Sequence, residues 1–205
     1  MDTDAALYGP ASPFIELPTL SPVGALARQL ISYAVLGAAV AALAYAVRGS
    51  LPPIGFELSL ADLGLGFAGV VAYAAYNAAI SLLLRRTSII GWLGRRNQTI
   101  FGNLPLWTMF LMAAIAGVGE EIIFRGWLQP IAGLFVTSAL FAVLHFLPNR
   151  FKWSHPATWG MIAVYFPVGL AVGWLYLWRG NLLGPIVLHA LGDSLGLLFL
   201  ARSVR

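Results

Sequence analysis

Residues 104–129 read LPLWTMFLMAAIAGVGEEIIFRGWLQ. Leu104–Gly119 carries no charge, and then Glu120, Glu121 and Arg125 follow with no turn signal between. An uncharged run of that make-up is the material of a bilayer-crossing helix. A charged side chain at mid-span costs about 2.5–3.5 kcal/mol on insertion scales, so such residues face a bundle interior and mark candidate functional sites.

Five more apolar runs lie around this one. Leu30–Val47 and Leu63–Leu84 precede it, and the second of these contains Asn77. Ile131–Leu147 with His145, Trp159–Trp178, and Leu182–Ala201 with His189 and Asp193 follow it. The runs are continuous and do not alternate, which selects helices over a barrel. A span needs about 20 residues, so the chain is predicted to be an all-α polytopic membrane bundle of about six transmembrane helices. Composition agrees: 60% of the residues are hydrophobic and 10% charged, with a mean hydropathy of +0.83. Soluble domains carry about 25% charged residues, so a soluble enzyme is excluded. With no cysteine, disulfides, a thiolate nucleophile and iron–sulfur clusters are excluded as well.

The order of the runs divides the chain into an N-terminal arm (1–24), a pair of spans with an interfacial loop (25–103), and a core (104–205). No cleavable leader is expected, because Asp2 and Asp4 replace a basic start. The stretch Ile89–Phe101 mixes Trp92 and Leu93 with Arg95 and Arg96, the make-up of an interfacial helix. With six spans, nine basic residues fall on one side: Arg28, Arg85, Arg86, Arg95, Arg96, Arg150, Lys152, Arg202 and Arg205. Arg48 and Arg179 fall on the other. The positive-inside rule then puts both termini in the cytoplasm. Eleven arginines against one lysine, with abundant Ala, Leu and Gly, read as bacterial. The expected location is therefore the inner (plasma) membrane. The basic residues are spread over inter-span loops, so the expected partners are the lipid bilayer and a membrane protein or peptide, with no nucleic acid.

Six ionisable residues remain inside the spans: Glu120, Glu121, Arg125, His145, His189 and Asp193. Glu121 and Arg125 are i,i+4 and can pair, which is by itself a structural explanation for Glu121. Glu120 is rotated about 100° from Glu121 and needs another partner. Its face carries Ala113, Ala116 and Gly117, which leave room beside it. Phe141 and His145 are i,i+4, as are His189 and Asp193, so the Asp193 carboxyl can hold the imidazole. The breaker segment Pro130-Ile131-Ala132-Gly133 predicts a hairpin that sets Glu120 and His145 at equal height, each about 18 Å from the turn. Asp193 then lies at about 17 Å on the sixth run. Plain helix ties are the alternative reading of these groups.

The motifs have a known relative. Glu120-Glu121-Ile122-Ile123-Phe124-Arg125 fits EExxxR, Phe141–His145 fits FxxxH, and His189–Asp193 fits HxxxN/D. Their order resembles the CPBP family of CAAX proteases and bacteriocin-processing enzymes, also called Abi, to which the Ras-converting CAAX endopeptidases belong. The gap between the first two motifs is shorter than usual there, and Asp193 stands where CAAX-cleaving members have Asn. The resemblance implies an intramembrane endopeptidase of glutamic type, from a family long grouped with metalloproteases. By it Glu120 is the general base, His145 helps to activate the water, and His189 and Asp193 match the oxyanion site. Glu121 and Arg125 match the supporting pair.

Peptide hydrolysis needs an activated water, oxyanion donors and a proton for the leaving amine. Without cysteine, and with no serine in a nucleophile motif, direct attack by water is the economical route. An ionised Asp193 cannot donate to an oxyanion, so Asp193 is expected to orient His189, which donates. No cofactor is expected. Zinc on Glu120, His145, His189 and Asp193 is the alternative, since these are ligands of the correct type. The rival functions are a proton-coupled transporter or channel, because intramembrane acids and histidines also relay protons, and a catalytically inactive scaffold or immunity protein.

Overall fold

The computed structural model describes residues 20–85, 87, 97–98, 101–145, 153 and 156–203. Among them the regular secondary structure is all helical. Most of the stretch Ile89–Phe101, expected to form an interfacial helix, and most of the N-terminal arm lie outside the described residues; Asn97, Gln98 and Phe101 are helical. Helix α1 runs Pro22–Arg48. The Ser21 hydroxyl caps its first turn by accepting from the Gly24 N–H, and Pro22 sits at the first helical position, where a missing N–H costs nothing. Gly49 ends the helix in the left-handed region at φ 74°, the usual glycine cap. Helix α2 is Leu60–Leu84, capped by Ser59. Helix α3 is Leu106–Glu121, and Ile122–Leu128 continues it as a π-helix. Helix α4 is Gln129–Leu144, α5 is Pro156–Arg179 and α6 is Leu183–Ser203.

The hairpin expected at Pro130–Gly133 is present. Gly133 adopts φ 77°, ψ 168° inside the helical path, a conformation open essentially to glycine alone. The chain folds back there: the rings of Phe124 and Phe141 meet edge to face at 5.3 Å. Seventeen residues of straight helix would hold them about 25 Å apart.

Four helical stretches are long and apolar enough to cross a membrane: Pro22–Arg48, Leu60–Leu84, the bent Leu106–Leu144, and Thr158–Arg179. Leu183–Leu198 is apolar but shorter. The all-helical membrane class therefore holds; the exact count of six spans is not confirmed among the described residues. Among the described residues the folded-back arm after Gly133 runs Leu134–Leu144. Val35, Leu43, Val71 and Phe135 stand exposed on the outer faces, a surface suited to lipid rather than water. The chain is an integral membrane protein.

Helix contacts run over small residues, as expected where lipid removes the usual hydrophobic drive and close packing must replace it. A Cβ on Gly117 of α3 would lie 2.7 Å from the Ala190 Cβ of α6. Gly169 of α5 presses on Ser138 of α4, and Gly173 of α5 on Leu134 and Gln129. Val40, Ile123, Phe124, Leu128 and Phe141 form one apolar cluster joining α1 to the hairpin. One end of the bundle is latched. Buried Asp62 accepts from Arg179 Nε at 2.7 Å and from Asn181 Nδ2 at 2.8 Å. Asn181 also accepts from the Glu57 N–H at 3.1 Å.

Candidate active site

Helix α3, the folded-back α4 and α6 bring the predicted residues together, with α5 behind them. Glu121 is fully buried, and its Oε2 lies 3.3 Å from Arg125 Nε. The i,i+4 pair expected from the sequence is therefore formed. Arg125 also donates through Nη2 to the Gly169 carbonyl at 3.2 Å, and its guanidinium lies over the Phe141 ring at 4.4 Å. Phe141 in turn contacts the His145 ring at 4.3 Å and the His189 ring at 5.9 Å. It is the apolar wall that fixes the cation and both imidazoles.

Glu121 does more than neutralise Arg125. Its Oε1 accepts from His189 Nδ1 at 2.7 Å. Asp193, expected to hold that imidazole, lies 3.6 Å from His189 Nε2, beyond good hydrogen-bond distance. Its side chain is 39% exposed. The i,i+4 contact on α6 is thus present as an ion pair at Nε2, while the deeper Glu121 of α3 holds the other nitrogen, Nδ1, by a hydrogen bond.

Glu120 sits beside this pair, facing the cavity. His145 Nε2 is 3.8 Å from Glu120 Oε2, and His189 Nε2 is 3.9 Å from the same oxygen. Both gaps are too long for a direct hydrogen bond and short enough for one water to bridge. Glu120 Oε2 is buried and has no hydrogen-bond partner. His145 Nδ1 lies 3.0 Å from the Phe141 carbonyl. That carbonyl can only accept, so Nδ1 carries a proton, and Nε2 is the ring nitrogen turned toward Glu120.

The sequence reading missed one partner. Tyr33 of α1 donates to Glu120 Oε1 at 2.6 Å. Gln29, one turn earlier, places Nε2 3.3 Å from the Tyr33 oxygen and donates to the Met112 carbonyl at 2.9 Å. The available signal was Gln29 and Tyr33 spaced i,i+4 in an apolar span. A tyrosine near a span end passes for an interfacial anchor, and nothing in the residues says which face of α1 meets α3.

A cavity of about 410 Å³ lies over these groups, lined by Arg28, Gln29 and Tyr33 from α1 and by Glu120, His145 and Asp193. A second cavity of about 20 Å³ touches Tyr165, His145, His189 and Asp193, room for about one water.

The same groups were tested as a metal set. Ligand atoms of Glu120, His145 and His189 lie within 4.8 Å of one another. Each imidazole has its Nδ1 tied, to the Phe141 carbonyl or to Glu121, as the ring-bracing partners of metal-bound histidines are. The trio fits zinc in type, though ligands at 2.0–2.1 Å would sit about 3.4 Å apart in a tetrahedral site. Asp193 is outside the trio, so the four-ligand set expected from the sequence reduces to three.

Comparison with known proteins agrees with the motifs. The uncharacterized protein YpbD of Bacillus subtilis (strain 168) is 24% identical over 131 residues, 60% of this chain and 66% of YpbD. The chain thus spans just under two thirds of that relative. No solved structure matches. Residues 102–195, which hold every motif position, match the family model described as type II CAAX prenyl endopeptidase Rce1-like. By its helical core, its buried acid–imidazole cluster and this match, the chain is similar over residues 102–195 to the Rce1-like type II CAAX prenyl endopeptidases.

Proposed function

We propose that the protein is an intramembrane endopeptidase of glutamic type that hydrolyses a peptide bond in a membrane-tethered or membrane-embedded substrate. One observation carries the reading: the buried, unpartnered Glu120 Oε2 faces two imidazole Nε2 atoms across gaps of 3.8 and 3.9 Å.

The groups suit each step. A water bridging Glu120 Oε2 and His145 Nε2 is oriented by both. As its oxygen bonds to the scissile carbonyl carbon, its proton passes to Glu120. Tyr33 occupies Oε1, so the proton goes to Oε2. His189, fixed by Glu121 at Nδ1, presents Nε2 to the carbonyl oxygen and, protonated there, donates to the oxyanion. Glu120 then delivers its proton to the amine nitrogen as the C–N bond breaks. Arg125 balances Glu121 and keeps the second carboxylate from competing for the water. Asp193, at the cavity wall, acts on the substrate rather than on His189.

A metal-dependent variant has its own supporting observation, the tied Nδ1 atoms of both histidines. Glu120, His145 and His189 would hold the ion, and zinc there would supply Lewis-acid polarisation and a more acidic water.

The test is membrane proteomics of cells carrying the wild type or Glu120→Ala, followed by cleavage of the accumulating precursor in proteoliposomes. An uncut precursor in the variant, cleaved by wild type and by Glu120→Gln at a rate about 10²–10⁴-fold lower, supports the reading. Unchanged precursor levels together with Glu120-dependent ion flux would instead indicate transport.

A further inference from the structure

We propose that Gln29 of α1 is a specificity residue that reads the backbone of an unwound substrate, its Oε1 accepting a peptide N–H about two residues from the scissile bond. The proposal rests on the endopeptidase reading and names the form in which the substrate binds.

The orientation of the Gln29 amide is set by its neighbours. The Met112 carbonyl can only accept, so Nε2, not Oε1, faces it at 2.9 Å. Tyr33 spends its own proton on Glu120, so its oxygen accepts from Gln29 Nε2 at 3.3 Å. Both donors of the amide are used inside the protein. The acceptor Oε1 is buried and has no partner, and Gln29 lines the same cavity as Glu120 and His145. A buried amide oxygen without a donor is disfavoured, so an occupant of this cavity is matched to it when it brings an N–H.

A peptide brings such a donor only when it is not helical. In a helix the N–H groups are spent on carbonyls four residues back, and in a membrane that internal pairing is close to obligatory. The acceptor therefore favours a substrate segment locally extended across the site. Position follows from α1. Gln29 lies one turn from Tyr33, about 6 Å along the axis, and Tyr33 touches Glu120. Extended chain rises about 3.3 Å per residue, which places the recognised N–H about two residues from the attacked carbonyl. Helix α1 then completes the site, though it lies outside the matched residues 102–195.

The experiment uses the full chain in proteoliposomes and an internally quenched peptide spanning the precursor's cleavage site. Each backbone amide within three residues of the scissile bond is N-methylated in turn. For wild type, one methylation, about two residues away, should raise KM at least tenfold. Gln29→Leu should show the raised KM on the unmodified peptide and no further penalty from that methylation. Gln29→Glu, which keeps an acceptor, should retain the penalty. An equal penalty in Gln29→Leu and wild type overturns the proposal. The same cycle is run as equilibrium binding to Glu120→Gln protein. If nothing is cleaved but binding shows the Gln29-dependent loss, the endopeptidase reading fails and the backbone-reading role stands. If binding is indifferent to every methylation, the role fails whatever is cleaved.

Discussion

Tyr33 and Glu120, 87 positions apart, are joined by a 2.6 Å hydrogen bond in which the phenol donates to one carboxylate oxygen. The bond leaves the other oxygen turned to the two imidazoles. On the proposed mechanism this decides which face of the acid does chemistry and makes α1 part of the catalytic apparatus.

Tyr33→Phe tests that role. Hydrogen bonds to charged groups contribute about 1.5–3 kcal/mol, so kcat should fall about 10- to 100-fold. KM should stay within a factor of two, because the ring remains against Gly119. A drop confined to KM would assign Tyr33 to substrate binding instead. A melting temperature in detergent close to wild type would separate either outcome from misfolding.

The Glu121–Arg125 pair makes an opposite prediction, about the fold. Removing one member of a buried ion pair costs about 3–5 kcal/mol because the other charge stays buried. Arg125→Met alone should therefore lower the unfolding midpoint sharply. Glu121→Leu with Arg125→Met should recover much of that loss yet stay inactive, since His189 loses the acceptor at Nδ1. Recovery of activity in the double variant would show that Glu121 does not set the imidazole.

Asp193→Asn should leave kcat/KM within about fivefold of wild type, because partly exposed ion pairs are worth about 1 kcal/mol or less. A loss beyond a hundredfold would return to Asp193 the orienting role that its i,i+4 spacing suggests.

Chelation separates the two chemistries this trio can support. Incubating the proteoliposomes with 1,10-phenanthroline should leave cleavage of the precursor unchanged. Loss of activity, restored by one divalent ion and by no other, would establish the metal-dependent form on Glu120, His145 and His189.

The sequence was a good guide wherever a residue's role follows from its own helix. Continuous apolar runs gave the membrane class, Pro130–Gly133 gave the reversal, and the charged positions gave the cluster, because a charge in a bilayer has few places to go. It was a poor guide to which helix faces which. Asp193 does pair with His189 at Nε2, as its spacing suggested, but the hydrogen bond that fixes the ring at Nδ1 goes to Glu121, a residue on another helix. Tyr33 and Gln29 were passed over for the same reason: their partners, Glu120 and Met112, lie on α3. The exact count of six spans is not confirmed: among the described residues four stretches reach span length, and Leu183–Leu198 is shorter.

The pairing of Glu121 with Arg125 within one rod has a consequence for biogenesis. Both charges leave the ribosome within four residues of each other, so a nascent chain entering the insertion machinery carries them already matched. His189 emerges 64 positions after Arg125 and docks onto a carboxylate that has been neutral in company since its synthesis. A chain stopped before Leu183 should therefore still integrate its hairpin, and glycosylation-site mapping of such truncations would show it.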